Sequence, residues 1–263
     1  MKSNRILGAA FALVTLSAQA STISTLSYNF PLAGDGGGAS ATLNGVPVEV
    51  FCDDFANTMW VPYSYSANVT TLGTSANLSN TRFGGVSSSA WNPISLNDGN
   101  STLDTQDNAF FNSGTGSSAL ARYEMAAYLV SLYNRSLGNN TSNNQIQQAI
   151  WTLMDPKVEG SPNNPLNVNN ASYLESAATW YSNMNTPSNL TALNSFLGNF
   201  ELVSPTNMTF QNGLGYGGFQ EQIVMTPEPR GGVWMLLGLL VLGFLMARRA
   251  RSRVAAATME SAS

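Results

Sequence analysis

The chain has 263 residues with no histidine and a single cysteine, and residues 21–225 carry 13 acidic against four basic residues, a net charge of −9. The missing histidine excludes Ser-His-Asp and Cys-His catalysis and any His-ligated metal site, and a single cysteine excludes an internal disulfide. The acidic balance argues against nucleic acid as a partner, because binding it requires a basic surface.

The N-terminus has the three parts of a secretory signal peptide. Two basic residues precede an apolar run over residues 6–16, and the small-x-small triplet Ala18-Gln19-Ala20 follows. We therefore expect the secretion machinery to export the chain and residues 1–20 to be removed. Residues 21–225 then form one exported domain of ordinary length.

Short strand-like segments, separated by Gly, Asn and Pro, open and close this exported domain. The predicted strands cover residues 46–51, 66–72, 200–204, 208–211 and 219–225. They predict a β-sandwich or a barrel-like sheet.

Four segments with helical periodicity lie between the early and late strands. The predicted helices cover 118–137, a stretch from Ser142 that ends at Asp155-Pro156, 171–183 and 187–197. Ser118 is expected to cap the first helix, and Ser142 with Gln145 has capping-box spacing at the start of the second. The predicted class is α+β, with a helical subdomain inserted into a β-sandwich or barrel-like sheet.

The C-terminus combines three features in a fixed order, followed by the short tail 254–263. A Pro-Glu-Pro triplet precedes an uncharged apolar run over residues 231–247, which a cluster of arginines closes. The run is at the short end of what a transmembrane helix needs, and the arginines should stay in the cytoplasm. The residues concerned are Pro227, Glu228 and Pro229, then Arg248, Arg249, Arg251 and Arg253.

This order resembles the PEP-CTERM sorting signal, which an exosortase recognises and processes in Gram-negative bacteria. The resemblance covers residues 226–253 and implies a membrane-anchored precursor that is later sorted to the cell surface or extracellular matrix, with 254–263 as a cytoplasmic tail. An ordinary tail-end membrane anchor is the alternative interpretation.

The single cysteine lies in Phe51-Cys52-Asp53, at the end of a predicted strand, and the second helix carries Ile146-Gln147-Gln148-Ala149-Ile150-Trp151. These two segments, with the preceding helix around residues 123–129, resemble the paired motifs of bacterial thioester domains. In that family a Cys displaces ammonia from a Gln side chain, and the resulting thioester can acylate an amine on a host or neighbouring surface. The resemblance implies that Cys52 and Gln147 form such a bond.

Helical geometry distinguishes the two adjacent glutamines. At about 100° per residue, Gln147 lies on the flank of the apolar face beside Trp151, whereas Gln148 points to solvent. Trp151 is therefore a predicted shield for the reactive bond. The acids Asp53 and Asp54 should raise the pKa of the thiol, although they could also accept its proton.

Other interpretations of the same residues remain open. A free cysteine often behaves as a small buried hydrophobe, and the helix motif is also an ordinary amphipathic core face. Two acid pairs could serve a carboxylate-based glycan enzyme, although such pairs are more often cation ligands, turn formers or a solvated face. Aromatic faces could bind carbohydrate, although they are equally typical of a core. These residues are Asp53, Asp54, Asp104 and Asp107 for the acids, and Trp60, Trp91 and Trp180 for the aromatic faces.

The sequence thus predicts an exported, surface-sorted bacterial adhesin or surface-attachment protein that is not an enzyme and needs no metal or other cofactor. Its expected partners are an exosortase, the secretion machinery, the membrane, and surface amines or exopolysaccharide. The alternative is a noncovalent structural or matrix protein of the envelope, exopolysaccharide or biofilm, in which Cys52 is inert.

Overall fold

The computed structural model describes residues 24–31, 38–54, 64–96, 101–134, 141–157 and 168–226. The predicted signal peptide, the Pro-Glu-Pro triplet, the apolar run 231–247 and the arginine cluster lie outside these ranges. Within them, no helix has both the length and the apolar character that crossing a membrane requires.

Six antiparallel strands form a curled sheet that closes into a barrel in the order β1-β2-β3-β8-β5-β4, and β6 pairs with β7 in a separate hairpin. The strands are β1 (Ser24–Pro31), β2 (Ala39–Leu43), β3 (Val46–Cys52), β4 (Ser64–Thr71), β5 (Phe200–Pro205), β6 (Thr209–Gln211), β7 (Leu214–Tyr216) and β8 (Gln222–Met225). Of the two predicted sheet forms, the barrel is therefore the one observed.

Two tight turns set the register of the strands that they connect. Asn44 and Gly45 join β2 to β3 with φ angles of 51° and 79°, and Asn212 and Gly213 join β6 to β7 with 51° and 81°. Asn-Gly tolerates this left-handed conformation, which two-residue hairpin turns require. The dipeptides were readable in the sequence, but β2 and β7 were not predicted.

Five α-helices are described, and all of them lie between β4 and β5 in the chain. They are α1 (Ser101–Asn112), α2 (Ala119–Ser131), α3 (Thr141–Leu153), α4 (Val168–Met184) and α5 (Leu190–Leu197). The predicted α+β class with helices inserted into the sheet is confirmed, whereas α1 was not predicted.

The predicted ends of two helices need correction. The Ser118 hydroxyl accepts a hydrogen bond from the Ala121 amide at 3.2 Å, so its predicted cap is confirmed. However, α2 ends at Ser131 rather than at 137, since the Asn143 side chain hydrogen-bonds both the amide and the carbonyl of Asn134. Ser142 lies inside α3 and is not its first residue, because the helix already includes Thr141.

The alternation of side chains along the strands separates two apolar cores. One fills the barrel and includes Val50, Val203 and Val224. The other lies between the barrel and the helices and includes Phe51 together with Ile150 of α3. Neighbouring residues of β3 thus point into different cores, which places the end of this strand between the barrel interior and the helices.

Glu124 makes stability depend on pH. It is buried on α2, and burial raises the pKa of its carboxyl from 4.5 to about 7, although a hydrogen bond with Tyr181 partly opposes the rise. The folded protein therefore holds this proton more tightly than the unfolded chain does, and the free energy of unfolding should fall as the pH rises from about 4.5 to about 7. Urea unfolding at both ends of this pH range measures the fall for the wild type and for Glu124→Gln. We expect the fall in the free energy of unfolding to be about 1–3 kcal/mol smaller in the variant. An equal fall in both proteins would contradict this assignment.

Candidate functional site

Cys52 is the last residue of β3, and its side chain is only 2% exposed. It lies two residues after Val50 and therefore faces the barrel interior, whereas Phe51 between them faces the helices. The thiol donates a hydrogen bond to the main-chain carbonyl of Asp54 at 3.2 Å. The sulfur thus lies at one rim of the barrel, held by the chain that leaves the strand.

Gln147 of α3 reaches across to Cys52. Its side chain is 2% exposed, and its amide nitrogen Nε2 donates a hydrogen bond to the main-chain carbonyl of Cys52. The other end of the same amide, Oε1, is buried and accepts no hydrogen bond from the described residues. Gln148 is only half-buried, so the expectation that Gln147, not Gln148, faces the sheet is confirmed.

Trp151 lies one helical turn beyond Gln147 and also contacts the cysteine. Its half-buried indole lies beside the Cys52 thiol and lowers the pKa of that thiol. The structure therefore brings all three residues of the predicted pair and shield together. Whether Trp151 protects a reactive bond from water stays a prediction.

The surroundings of Cys52 keep its thiol protonated. Burial is the main cause that raises the pKa of the thiol, and the negative charges of Asp54 and Asp53 raise it further. The Trp151 indole beside the thiol and the hydrogen bond to the Asp54 main chain oppose this rise in pKa. The direction expected from the two acids is thus confirmed, and attack by this sulfur requires a group that takes its proton.

A buried ionic cluster lies directly after Cys52. The Arg82 guanidinium is 2.7 Å from the Asp54 carboxylate, and both side chains are at most 2% exposed. Burial and the neighbouring carboxylates of Glu221 and Asp54 raise the pKa of Asp53 well above its ordinary value. The Asp53 carboxyl thus holds a proton more readily than an exposed aspartate does, because ionisation would place another negative charge beside Glu221 and Asp54.

Glu221 connects this cluster to the helices and to the neighbouring strand. Its carboxylate accepts hydrogen bonds from the Arg82 amide at 2.6 Å, from the Tyr123 hydroxyl of α2 and from the Ser204 hydroxyl of β5. Three elements therefore meet at one carboxylate beside the candidate site.

The acids considered for glycan chemistry lie elsewhere or are inaccessible. Asp53 and Asp54 are both buried, so a glycan has no access to them in this conformation. Asp107 is half-buried on α1, and the side chain of Asp104 on the same helix lies outside the described part. In the described ranges, no group of Cys, Asp and Glu residues has an arrangement that could hold a metal ion.

The aromatic residues considered for carbohydrate binding mostly pack inside the protein. Trp91 is buried, with the Arg122 guanidinium 4.5 Å from its ring centre. Trp180 is half-buried and stacks on Tyr128 with a centroid distance of 4.8 Å. Trp60 lies outside the described residues.

Two further residues surround the site and were not predicted from the sequence. Arg82 is one of only four basic residues in residues 21–225, and this rarity was a readable signal. Gln222 lies directly opposite Cys52 in the pairing of β3 with β8. No local pattern marks it, because its position depends on which strands pair.

The chain was also compared with known proteins. No protein-family model matches it, and neither the curated proteins nor the solved structures include a match.

Proposed function

We propose that this protein is an exported, surface-sorted attachment protein that anchors itself through an internal thioester between Cys52 and Gln147. The observation that carries the proposal is the hydrogen bond from the Gln147 side-chain amide to the Cys52 main chain, within a buried site. The fold brings the only thiol of the chain and a buried carboxamide together from distant parts of the sequence. The proposal requires the sulfur and the amide carbon to be aligned, and alignment of two reacting groups can remove about 7–11 kcal/mol of the barrier in favourable cases.

The reaction needs no cofactor to balance. The Cys52 Sγ attacks the Gln147 Cδ, a carbon–sulfur bond forms, and the carbon–nitrogen bond of the amide breaks. The thiol proton leaves with the nitrogen as ammonia. A primary amine on a target surface then attacks the same carbon, which releases the Cys52 thiol and leaves a stable amide bond between target and protein.

Burial of the site supports a long-lived thioester. Water hydrolyses an exposed acyl bond, whereas a site from which water is excluded preserves it. The Trp151 indole lies beside the Cys52 thiol and is half-buried, whereas Cys52 and Gln147 are each only 2% exposed. We therefore expect a target amine to meet Trp151 before it reaches the pair.

The place of action follows from the two termini, which lie outside the described residues. The signal-peptide pattern of residues 1–20 and the resemblance of residues 226–253 to a PEP-CTERM signal support export and exosortase processing in a Gram-negative bacterium. The mature domain would then attach to amine-bearing surfaces or to exopolysaccharide that carries amines.

Mass spectrometry of the full chain tests this proposal. We expect the untreated protein, purified in mild detergent, to be lighter by one ammonia than its sequence requires. Methylamine should remove the deficit by adding to Gln147 and should make Cys52 available to an alkylating reagent. Proteolysis before methylamine treatment should yield the Cys52 and Gln147 peptides as one linked species.

Three variants separate the thioester from other mass changes. Cys52→Ala and Gln147→Ala should both have their full calculated mass, whereas Gln148→Ala should keep the ammonia deficit. A full-mass wild-type protein with a freely alkylated cysteine would refute the covalent mechanism.

That outcome would favour a noncovalent structural or matrix protein of the envelope. The raised pKa of the buried Cys52 thiol supports this second candidate, because such a thiol is chemically quiet in the absence of a proton acceptor.

A further inference from the structure

Gln222 lies beside Cys52 at the same rim of the barrel. It is the first residue of β8, Cys52 is the last residue of β3, and the two are direct partners in the antiparallel pairing. Directly opposed residues project to the same face of a sheet. Their strand neighbours Val50 and Val224 both belong to the core that fills the barrel, so Cys52 and Gln222 face the barrel interior together.

The side-chain amide of Gln222 is a buried donor without a partner. The residue is 1% exposed, and its Nε2 makes no hydrogen bond with the described residues. Leaving such a donor unpaired costs about 1–3 kcal/mol of folding free energy. This donor therefore does not stabilise the fold in the conformation observed.

The Gln147 side chain contains an unpaired acceptor, which is complementary to the unpaired donor of Gln222. Its Oε1 is a buried acceptor without a partner, and its Nε2 is bound to the Cys52 carbonyl. An unpaired donor and an unpaired acceptor thus flank one thiol, one on β8 and one on α3. In the observed state the two amides are not hydrogen-bonded to each other.

We propose that Gln222 donates a hydrogen bond to the oxygen of Gln147 when that oxygen becomes negatively charged during acyl transfer. This inference rests on the proposed thioester function. When Sγ attacks Cδ, the carbonyl electron pair moves onto Oε1, and it returns when the amide NH2 group takes up the thiol proton and leaves as ammonia. Attack on the thioester by an amine places the same charge on the same oxygen, and the Cys52 sulfur then leaves and takes up the amine proton.

A donor that pairs only with the charged intermediate accelerates both steps. An interaction that is absent from the ground state and present in the transition state lowers the barrier in full. Gln222 would therefore accelerate both the formation of the thioester and its reaction with an amine. The cost is a buried donor that has no partner before the reaction begins.

The rate of the methylamine reaction tests this role. The Gln222→Met variant keeps the length of the side chain and removes the donor. We expect it to react with methylamine about 10²–10³-fold more slowly than the wild type, as follows loss of one oxyanion donor. Its thermal stability, measured in a Cys52→Ala background without any crosslink, should be equal or higher, because an unpaired buried amide has been removed. Gln211→Met, on the exposed strand β6, should change neither quantity.

The possible outcomes separate this role from a structural one. A folded Gln222→Met variant that forms no thioester at all also supports the role of the donor. An unchanged methylamine rate, or a clear loss of stability, would overturn it while the thioester itself stands. A wild-type protein without the ammonia deficit would overturn the proposed function, and the role of Gln222 with it.

Discussion

Replacing Arg82 by methionine is expected to lower the free energy of unfolding by about 3–5 kcal/mol, the usual result of removing one partner of a buried ion pair. The Arg82 side chain is 2% exposed and lies 2.7 Å from the Asp54 carboxylate. Its guanidinium also donates to three main-chain carbonyls, that of Gly215 in β7 and those of Gly217 and Phe219 between β7 and β8. The variant would leave a buried carboxylate and three carbonyls without their donor. Urea unfolding in a Cys52→Ala background measures the effect without any contribution from a crosslink.

Lys157→Met is the matched control for Arg82→Met. Lys157 is exposed, and its ammonium donates to the Ser89 carbonyl at 3.1 Å, on the surface. Its replacement should change the free energy of unfolding by about 0.5 kcal/mol or less. Equal effects of the two substitutions would show that Arg82 does not hold the segment beside the site.

Phe51→Ala is expected to cost about 3–5 kcal/mol of folding free energy, because it leaves a cavity between the barrel and the helices. The Phe51 ring is fully buried and meets the Tyr133 ring edge-on, with a centroid distance of 5.0 Å. It immediately precedes Cys52 and anchors the end of β3 against the helical core. Small misplacement of reacting groups can slow a reaction about 10²-fold, so a smaller fraction of the chains should carry the ammonia deficit.

Phe210→Ala provides the comparison for the loss of a phenyl ring. Phe210 lies on β6 and is 46% exposed. Urea unfolding should show a change of about 0.5 kcal/mol or less, and mass spectrometry should show an undiminished ammonia deficit. A large loss of stability with Phe51→Ala but an unchanged deficit would show that packing at Phe51 does not align the pair.

Local patterns in the sequence were sufficient for the helix that carries Gln147. The apolar spacing of Ile146, Ala149 and Ile150 predicted a buried face, and all three residues are buried in the structure. The same spacing put Gln147 on the flank beside Trp151, which is where both residues meet Cys52. Helical periodicity records which side of a helix is buried, so this part of the site was predictable.

Local patterns were not sufficient to predict the end of α2 or the presence of α1, because in both places a side chain hydrogen-bonds the main chain of another segment. The apolar residues after Ser131 predicted that α2 continues to 137, but the helix ends at Ser131, and the Asn143 side chain binds both main-chain groups of Asn134. Similarly, α1 was not predicted. Its residues Asn108 and Asn112 hydrogen-bond the main chain at Leu96 and Ile94. These are tertiary contacts, and they leave no helical periodicity in the sequence.

By itself, the sequence determined that the chemistry of this protein must do without histidine and that Cys52 and Gln147 are the candidate pair. It also determined the α+β class, because strand and helix periodicity are local properties. Only the tertiary structure decided that the sheet closes with β8 beside β3, which places Gln222 opposite Cys52 and Arg82 against Asp54. Contacts between residues so far apart along the chain depend on strand pairing and burial, which leave no periodic signal in the sequence.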